Sequence, residues 1–279
     1  MSISTYPGRA ALALLSVLVT AGCTSSSTGS SSGTGPRTAS SQSTPASSAP
    51  VVAPQACGAR ARTFWLPGPD GTKLEANAYG AGPAAVVFLH QAGQLADMCG
   101  FWPYARWLAD REHVQVVLFN RCTYGNSTCQ VFQQGDEGIV AQVQPAVDWA
   151  RRHGGRRVTL VGASSGGSDA LQAAGVVRQV DAVVDLSGAS ADTGVDDRPS
   201  ARRLRVPALF AVAPDDRVAP VATVRGLYRL VPARPKRLVV MTELPGAHGW
   251  DLLQRPDGAF TPLAGTVADW VAGRVRAAR

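Results

Sequence analysis

The stretch Val158-Thr159-Leu160-Val161-Gly162-Ala163-Ser164-Ser165-Gly166-Gly167 decides the fold of this chain. Its β-branched and apolar start predicts a buried strand, and residues 168–174 that follow it predict a helix. Between them, Gly162, Ser164 and Gly166 form the pattern G-x-S-x-G. A serine on a sharp turn between a strand and a helix can project its hydroxyl from the sheet, because the flanking glycines lack clashing Cβ atoms. The pattern predicts that Ser164 is a nucleophile, although a chain rich in glycine and serine can contain it by chance.

Strands and helices alternate along the rest of the folded region. A predicted hairpin, 60–66 and 73–79, is followed by predicted strands 84–90, 114–119, 180–186, 206–212 and 237–241. Helices are predicted over 101–111, 137–153 and 218–231, and a last amphipathic helix within 263–275. This alternation favours an α/β fold with a mostly parallel sheet and helices on both faces. The segment 187–205, between two of these predicted strands, is too short to hold an extra helical domain that could cap the edge of the sheet.

The charge pattern argues against a nucleic-acid surface. The formal net charge is +7, and only Lys73 and Lys236 among the basic residues are lysines. Arginines are scattered or in short pairs, and no basic tract is interleaved with aromatic residues. We expect a monomer that binds no nucleic acid; weak attraction to an anionic membrane surface is compatible with the charge.

The first 56 residues predict export and tethering. Residues 1–22 have the basic start and short apolar core of a secretory signal. Residues 19–23, Val-Thr-Ala-Gly-Cys, resemble the bacterial lipobox, which implies that Cys23 is lipidated; the alternative is a secreted protein cut near Ala21. Residues 23–56 are nearly all small or polar, which predicts a disordered tether before a folded domain at 57–279. The expected location is the outer face of the bacterial cytoplasmic membrane.

Four further cysteines lie in the predicted folded domain: Cys57, Cys99, Cys122 and Cys129. An even number in an exported chain predicts two disulfides, and three pairings are possible. The spacings do not match those of a zinc site, so we predict no metal and no cofactor.

A serine nucleophile needs a histidine base, and the chain has four histidines. His113 precedes a predicted strand, at the wrong end of the sheet. His153 ends a helix within an arginine cluster, and His90 ends a buried strand and suits a structural role. His248 lies in a glycine-rich loop after the last strand, where α/β sheets place their chemistry. His248 is therefore the predicted base.

The acid that orients the histidine is predicted to be Asp216. It follows the strand 206–212, with a proline four residues later, and this arrangement resembles the acid turn of α/β-hydrolases. Asp215 is the alternative, and Asp185 a more distant one. The order Ser164, Asp216, His248 is the order of a nucleophile-elbow hydrolase rather than of other serine hydrolase folds.

Four motifs between residue 60 and the end resemble the α/β-hydrolase superfamily, in its compact esterase and dienelactone-hydrolase-like form. Residues 162–167 are similar to its G-x-S-x-G-G elbow, and residues 89–93 to its H-G-x-G oxyanion segment. Residues 120–127 are similar to its D-x-R-G-x-G-x-S loop, and residues 246–249 to its terminal histidine loop. The resemblance implies the α/β-hydrolase fold and acyl chemistry.

The resemblance also implies other site residues. The backbone N–H groups of Ser165 and Ala92 would bind the oxyanion, and Gln91, Tyr124 and Trp250 are candidate substrate contacts. Gln91 replaces the family's glycine after the histidine.

A second departure lies in the 120–127 loop, where Cys122 replaces a glycine and one extra residue precedes Gly125. A disulfide from Cys122 would stiffen this loop; its partner could be Cys129, Cys99 or Cys57.

The predicted activity is hydrolysis of carboxylic esters through a Ser-His-Asp triad and an acyl-enzyme. Without a cap the site should be open and suit soluble esters with short or accessible acyl groups. Two alternatives remain: a non-catalytic ligand- or partner-binding surface lipoprotein on the same fold, and an acyltransferase.

Overall fold

Eight strands form one open sheet in the part of the chain that the computed structural model describes, residues 52–130, 135–188 and 196–275. The strands are β1 (Arg62–Pro67), β2 (Lys73–Tyr79), β3 (Ala84–Leu89), β4 (Gln115–Phe119), β5 (Arg157–Ala163), β6 (Ala182–Leu186), β7 (Ala208–Val212) and β8 (Lys236–Val240). Their order is β1-β2-β4-β3-β5-β6-β7-β8. The pairs β1–β2 and β2–β4 are antiparallel, and every later pair is parallel. The predicted mostly parallel α/β sheet is confirmed.

Helices cover both faces of this sheet. They are α1 (Trp102–Glu112), α2 (Gly135–Arg152), α3 (Ser165–Val176), α4 (Arg198–Arg203), α5 (Val221–Leu230) and α6 (Pro262–Val271), with 3₁₀ turns at Met98–Phe101 and Gly249–Leu252. Alternate residues of β3 show why the strand had to be apolar throughout. Val87 packs into the core shared with α2, α3 and α5, while Val86 and Phe88 pack into the core shared with α1 and α6.

The helix predicted over 218–231 begins later, at Val221. The reason is that Val218 and Ala219 turn their backbone N–H groups to the carboxylate of Asp216 instead of starting a helix. Pro220 then precedes the first helical residue. The three residues therefore form the turn before the helix.

Two disulfides join the four cysteines of the described residues, Cys57–Cys99 and Cys122–Cys129. This confirms the predicted number and resolves the pairing, which spacing alone left open. The first joins the start of the folded domain to the turn before α1, and the second closes the 122–129 loop.

Glu75 on β2 is hydrogen-bonded to both the start of the domain and the 120–127 loop. Its buried carboxylate accepts hydrogen bonds from the backbone of Gln55 at 2.6 Å and of Asn126 at 2.8 Å, and from the side chains of Asn126 and Asn120. Burial alone would raise the pKa of Glu75, but these donors together hold it below its usual value. The charged carboxylate thus orders a loop that borders the edge of the sheet.

Several sequence predictions fall wholly or mostly outside the described residues. The signal segment 1–22, Cys23 and nearly all of the tether 23–56 belong to this group. Within the described chain, none of the helices combines the length and hydropathy that a membrane span requires. Between β6 and β7, the described residues hold only the six-residue helix α4, and residues 189–195 are not described.

Candidate active site

Ser164 sits on the turn between β5 and α3, at the carboxyl edge of the sheet. Its backbone has φ 52° and ψ −124°, in a region that disfavours side chains and that costs about 1–3 kcal/mol where it occurs. Three backbone hydrogen bonds hold this conformation. The Ser164 N–H donates to Leu186 O at 2.8 Å, and the Gly167 and Ser168 N–H groups donate to Ser164 O at 2.7 and 3.2 Å. Strain of this kind at a predicted nucleophile is the backbone feature that a projecting serine needs.

The glycines on either side of Ser164 are required sterically. A Cβ atom on Gly162 would overlap the carbonyl oxygen of Gly166, and one on Gly166 would overlap the carbonyl oxygens of Leu89 and His90. Because backbone atoms cannot move aside cheaply, the turn is tight only with glycine at both positions. This gives the G-x-S-x-G pattern a physical reason in this chain.

Asp216 and His248 form a hydrogen-bonded pair on the loops after β7 and β8. His248 Nδ1 lies 2.9 Å from Asp216 Oδ2 and 3.1 Å from Oδ1. Asp216 is buried, and its Oδ1 also accepts the N–H groups of Val218 and Ala219, both at 2.9 Å. Since a carboxylate only accepts, His248 carries its proton on Nδ1, which leaves Nε2 able to take a proton. Asp215, the alternative acid, is exposed and makes no such contact.

The loop of His248 lies against Ala163, the last residue of β5. A Cβ atom on Gly249 would overlap Oε1 of Gln91 and would lie 3.4 Å from the Cβ of Ala163. Gly249 also has φ +60°, so a side chain there would be strained as well as crowded. The structure therefore brings the serine turn, the histidine loop and Gln91 to one place.

Ser165, the first residue of α3, has a side chain that is held from the neighbouring loop. Arg121 donates to Ser165 Oγ at 3.0 Å and forms a buried ion pair with Asp169 of the same helix. As a first-turn residue, Ser165 has a backbone N–H without a partner inside the helix. This N–H can serve as an oxyanion donor, and Arg121 fixes the turn that presents it.

His90 fixes the segment that carries the second predicted donor. Its Nε2 accepts the Arg121 N–H at 3.2 Å, so its Nδ1 carries the proton and donates to Gln91 O at 2.8 Å. Burial, with the charge of Arg121, lowers the pKa of His90 well below its usual value, so it stays neutral. The Ala92 N–H lies opposite the anchored Gln91 carbonyl on the same trans peptide. His90 thus orients the Ala92 N–H, which agrees with the structural role expected for this histidine.

The roles of Arg121 and Asp169 were not predicted from the sequence. Arg121 lies within the 120–127 motif, and Asp169 lies on the helix after the serine. The only sequence signal for this pair is an arginine in the 120–127 loop and an aspartate on the helix that follows Ser164. Together they tie the 120–127 loop to the first turn of α3.

The other candidate residues lie close to this edge but pack in different ways. The Tyr124 ring meets His90 edge-on at 4.5 Å between centroids, and Trp250 meets Phe101 edge-on at 5.6 Å. Gln91 Oε1 is buried and has no hydrogen-bond partner in the described residues. Of the three candidate substrate contacts, Gln91 is the one whose side-chain oxygen lies against the histidine loop without a hydrogen-bond partner in the described residues.

Asp185, the third candidate for the acid, does not reach His248. Its carboxylate is fully buried and points toward Gly167 and Gly188, where a Cβ atom would overlap it or nearly so. Burial raises the pKa of Asp185 to about 8, with a further contribution from the nearby Asp197. Asp185 is therefore a neutral acid at pH 7, which is the wrong charge state for orienting an imidazolium.

No cluster of three or more His, Cys, Asp or Glu side chains that could hold a metal ion occurs in the parts of the chain described. This edge of the sheet supplies a serine hydroxyl, the Asp216–His248 pair and backbone N–H groups. That set suits nucleophilic attack on a carbonyl carbon.

Comparison with solved structures establishes the fold class. An esterase from Pyrococcus furiosus superposes with a TM-score of 0.63 at 14% identity, over 77% of this chain and 91% of that one. An esterase from Exiguobacterium antarcticum gives 0.61 at 15% identity, over 75% and 99% of the two chains. A dienelactone hydrolase from Anabaena variabilis gives 0.57 at 21% identity, over 77% and 99%.

The fold is therefore the α/β-hydrolase fold, as the sequence motifs implied. No protein-family model and no curated protein sequence matches the chain. At such low identities the likeness defines the architecture, and the activity has to be argued from the residues at the site.

Proposed function

We propose that this chain is a serine hydrolase that cleaves carboxylic esters, with Ser164 as nucleophile, His248 as base and Asp216 as its orienting acid. The observation that carries the proposal is the strained Ser164 backbone at the same sheet edge as the Asp216–His248 pair. A binding protein has no physical need to keep a serine at a costly φ at the same sheet edge as a histidine whose tautomer is fixed.

The proposed reaction begins when His248 Nε2 takes the proton of Ser164 Oγ as this oxygen attacks the ester carbonyl. Negative charge develops on the carbonyl oxygen, and the N–H groups of Ser165 and Ala92 stabilise it. His248 then gives its proton to the leaving alkoxide, and an acyl-serine remains. Water, activated by His248, releases the acid and restores the serine. Asp216 stabilises the imidazolium in both halves of the cycle.

The location is a second part of the proposal, supported by the sequence of residues 1–56. A diacylated Cys23 would hold the protein on the outer face of the cytoplasmic membrane, and a flexible segment would give the domain reach. Mass spectrometry of the mature N-terminal peptide tests this. An unmodified peptide that begins after Ala21 would favour a secreted protein.

The activity is tested with p-nitrophenyl acetate and butyrate and with a fluorophosphonate probe. Wild-type protein should turn over at least one ester and be labelled, whereas Ser164→Ala should lose both properties. Ser200→Ala, in helix α4, is the matched serine control and should retain them. Equal turnover by wild type and Ser164→Ala would contradict the proposal. Transfer to an added alcohol in preference to water would favour the acyltransferase.

A further inference from the structure

Two segments that a disulfide ties together each carry an exposed apolar side chain. Val52 is 57% exposed and Leu95 is 100% exposed, and they are the two exposed large apolar side chains of the described residues. Val52 comes five residues before Cys57, and Leu95 comes four residues before Cys99. The two cysteines are bonded, with Cα atoms 5.0 Å apart. Scattered single apolar residues are ordinary on a protein surface, but two on segments fixed at one point indicate a contact surface.

The 3₁₀ turn that contains Cys99 leads directly into α1, whose outer face helps to form a groove of about 680 Å³. The aromatic and charged residues that line this groove are Trp102, Arg106, Trp107, Asp110, Arg111 and Phe260. Trp107 and Phe260 contact each other with 4.8 Å between ring centroids, and all three aromatic rings are partly exposed. Tryptophan rings beside arginines are typical of surfaces at the boundary between a membrane and water. We call Val52, Leu95 and this groove together the α1 surface.

The chain enters the folded domain at the α1 surface. A Cβ atom on Gly58 would overlap the indole ring of Trp102, so the first residues of the domain lie against this ring. The Tyr79 ring meets Trp102 edge-on at 5.6 Å, and Arg60 donates to the Tyr79 hydroxyl at 2.8 Å. The proposed tether, 23–56, leads into this segment. An anchored domain therefore has the α1 surface on the side where its tether is attached.

The exposed charges of the α1 surface favour an anionic partner. Arg106 and Arg111 line the groove against one carboxylate in its lining, Asp110. Arg106 lies 3.7 Å from Asp110, and its side chain is 58% exposed. Arg111 reaches Glu112 at 3.0 Å and is 62% exposed, and Glu112 is also paired with Arg274. Because exposed ion pairs contribute little to stability, both guanidinium groups of the groove can turn to phosphate oxygens, which arginine binds in a bidentate manner.

We propose that the α1 surface binds an anionic lipid bilayer and is a second membrane contact besides the lipid on Cys23. This inference rests on the proposed export and anchoring of the chain. Val52 and Leu95 enter the interface, the tryptophan rings lie at its polar boundary, and the arginines bind lipid phosphate groups. Leu95 follows Ala92, the second predicted oxyanion donor, by three residues, which span at most about 11 Å. The contact therefore holds the predicted active-site edge close to the bilayer.

The test measures co-sedimentation of residues 23–279 with lipid vesicles, in a parent chain that carries Cys23→Ser and cannot be lipidated. Vesicles of phosphatidylcholine and phosphatidylglycerol in equal parts should bind this chain, and pure phosphatidylcholine vesicles should bind it at least about tenfold more weakly. Leu95→Asp, at a fully exposed position, should weaken binding to the mixed vesicles about tenfold or more. Arg106→Gln/Arg111→Gln should weaken it to a similar extent, about tenfold or more. Raising the salt concentration from about 0.1 to 1 M should weaken it too, because salt screens the attraction.

Two matched controls lie on α5, which packs on the other face of the sheet from α1. Ala222→Asp places the same charge as Leu95→Asp at another exposed position, and Arg225→Gln/Arg229→Gln removes two exposed arginines. Both control variants should bind the mixed vesicles as the parent chain does. Urea unfolding of every variant checks that a loss of binding does not come from a loss of folding.

Several outcomes would overturn the proposal. They are no binding to the mixed vesicles, equal binding to both kinds of vesicle, and equal losses in the arginine variants of α1 and α5. A dimer that Leu95→Asp dissociates, without vesicle binding, would assign the surface to a second copy of the chain instead. Vesicle binding does not depend on ester turnover or on the lipid. Binding by a protein that hydrolyses no ester, or that carries no lipid on Cys23, would therefore leave this contact standing and remove only the proposed activity or the proposed anchor.

Discussion

Replacing Arg121 by glutamine removes the guanidinium that joins the 120–127 loop to the first turn of α3. Arg121 and Asp169 are both largely buried, with side-chain exposures of 4% and 14%. Breaking such a pair by removing one partner leaves a buried charge uncompensated and costs about 3–5 kcal/mol. The hydrogen bond to Ser165 Oγ adds about 1 kcal/mol. We expect Arg121→Gln to lower the free energy of unfolding by about 4 kcal/mol at pH 7.5.

The loss should depend on pH in a defined direction. Burial already raises the pKa of Asp169, and Arg121 lowers it again. Without Arg121 the folded-state pKa rises further above the unfolded value, so the folded form holds a proton that the unfolded form has lost. Stability of the variant should then fall, relative to wild type, as pH rises from about 4 toward the new pKa.

Urea unfolding followed by tryptophan fluorescence measures the effect, and Arg203→Gln is the matched control. The Arg203–Asp136 pair has comparable geometry but is 43% and 44% exposed, so its loss should cost at most about 1 kcal/mol. In Arg121→Gln/Asp169→Asn the buried charge is gone, and part of the lost stability should return. Similar losses in Arg121→Gln and Arg203→Gln, or no recovery in the double variant, would refute the reasoning.

Three further predictions follow from the site and its surroundings. Asp216→Asn should lower kcat by about 10⁴, because an amide no longer selects the productive histidine tautomer, whereas Asp215→Asn should change kcat less than about threefold in the same ester assay. Because the pKa of Asp185 is about 8 in the folded protein, well above its unfolded value, wild-type stability should fall as pH rises from about 4 to 8, by up to about 1.4 kcal/mol per unit. Asp197, whose pKa is raised to about 6, adds to this loss of stability only in the lower part of the pH range from 4 to 8. Asp185→Asn should therefore flatten the slope between pH 6.5 and 8 in urea unfolding, and an unchanged slope would count against a neutral Asp185. Replacing the Cys57–Cys99 disulfide by two serines should cost about 4 kcal/mol, since it joins residues 42 apart in sequence, and a loss below about 1 kcal/mol would contradict that estimate.

The parallel sheet was predictable because its strands are apolar on both faces. Strands such as β3 and β7 carry continuous apolar runs, as expected of strands buried under helices on each side. The ends of elements were less predictable. The start of α5 depends on the Asp216 turn, a contact between side chain and backbone that hydrophobic periodicity does not record.

The serine turn and the Asp–His pair were predictable because each follows a strand at the carboxyl edge. The choice of Asp216 over Asp215 came from the resemblance to the acid turn, and the structure shows the physical difference. Asp216 turns inward and accepts two backbone N–H groups, while Asp215, with φ 61°, stays exposed. Two adjacent aspartates look alike in a sequence, and only the fold of the turn separates them.

The contacts among the loops could not be predicted from the sequence. Arg121, His90 and Ser165 lie far apart along the chain, and their network depends on how three loops pack after the sheet has formed. The pairing of the cysteines could not be predicted either, because the spacing of the four cysteines is compatible with three pairings. Side-chain geometry, rather than residue pattern, decides such contacts.

The central claim is that Ser164 is the nucleophile of an Asp216–His248 pair. Incubation of wild-type protein with a fluorophosphonate, followed by peptide mass spectrometry, tests it most directly. We predict one adduct, on Ser164, with labelling that is slowed strongly in His248→Ala and prevented in Ser164→Ala. Labelling of another residue, or equal labelling of wild type and Ser164→Ala, would contradict the claim.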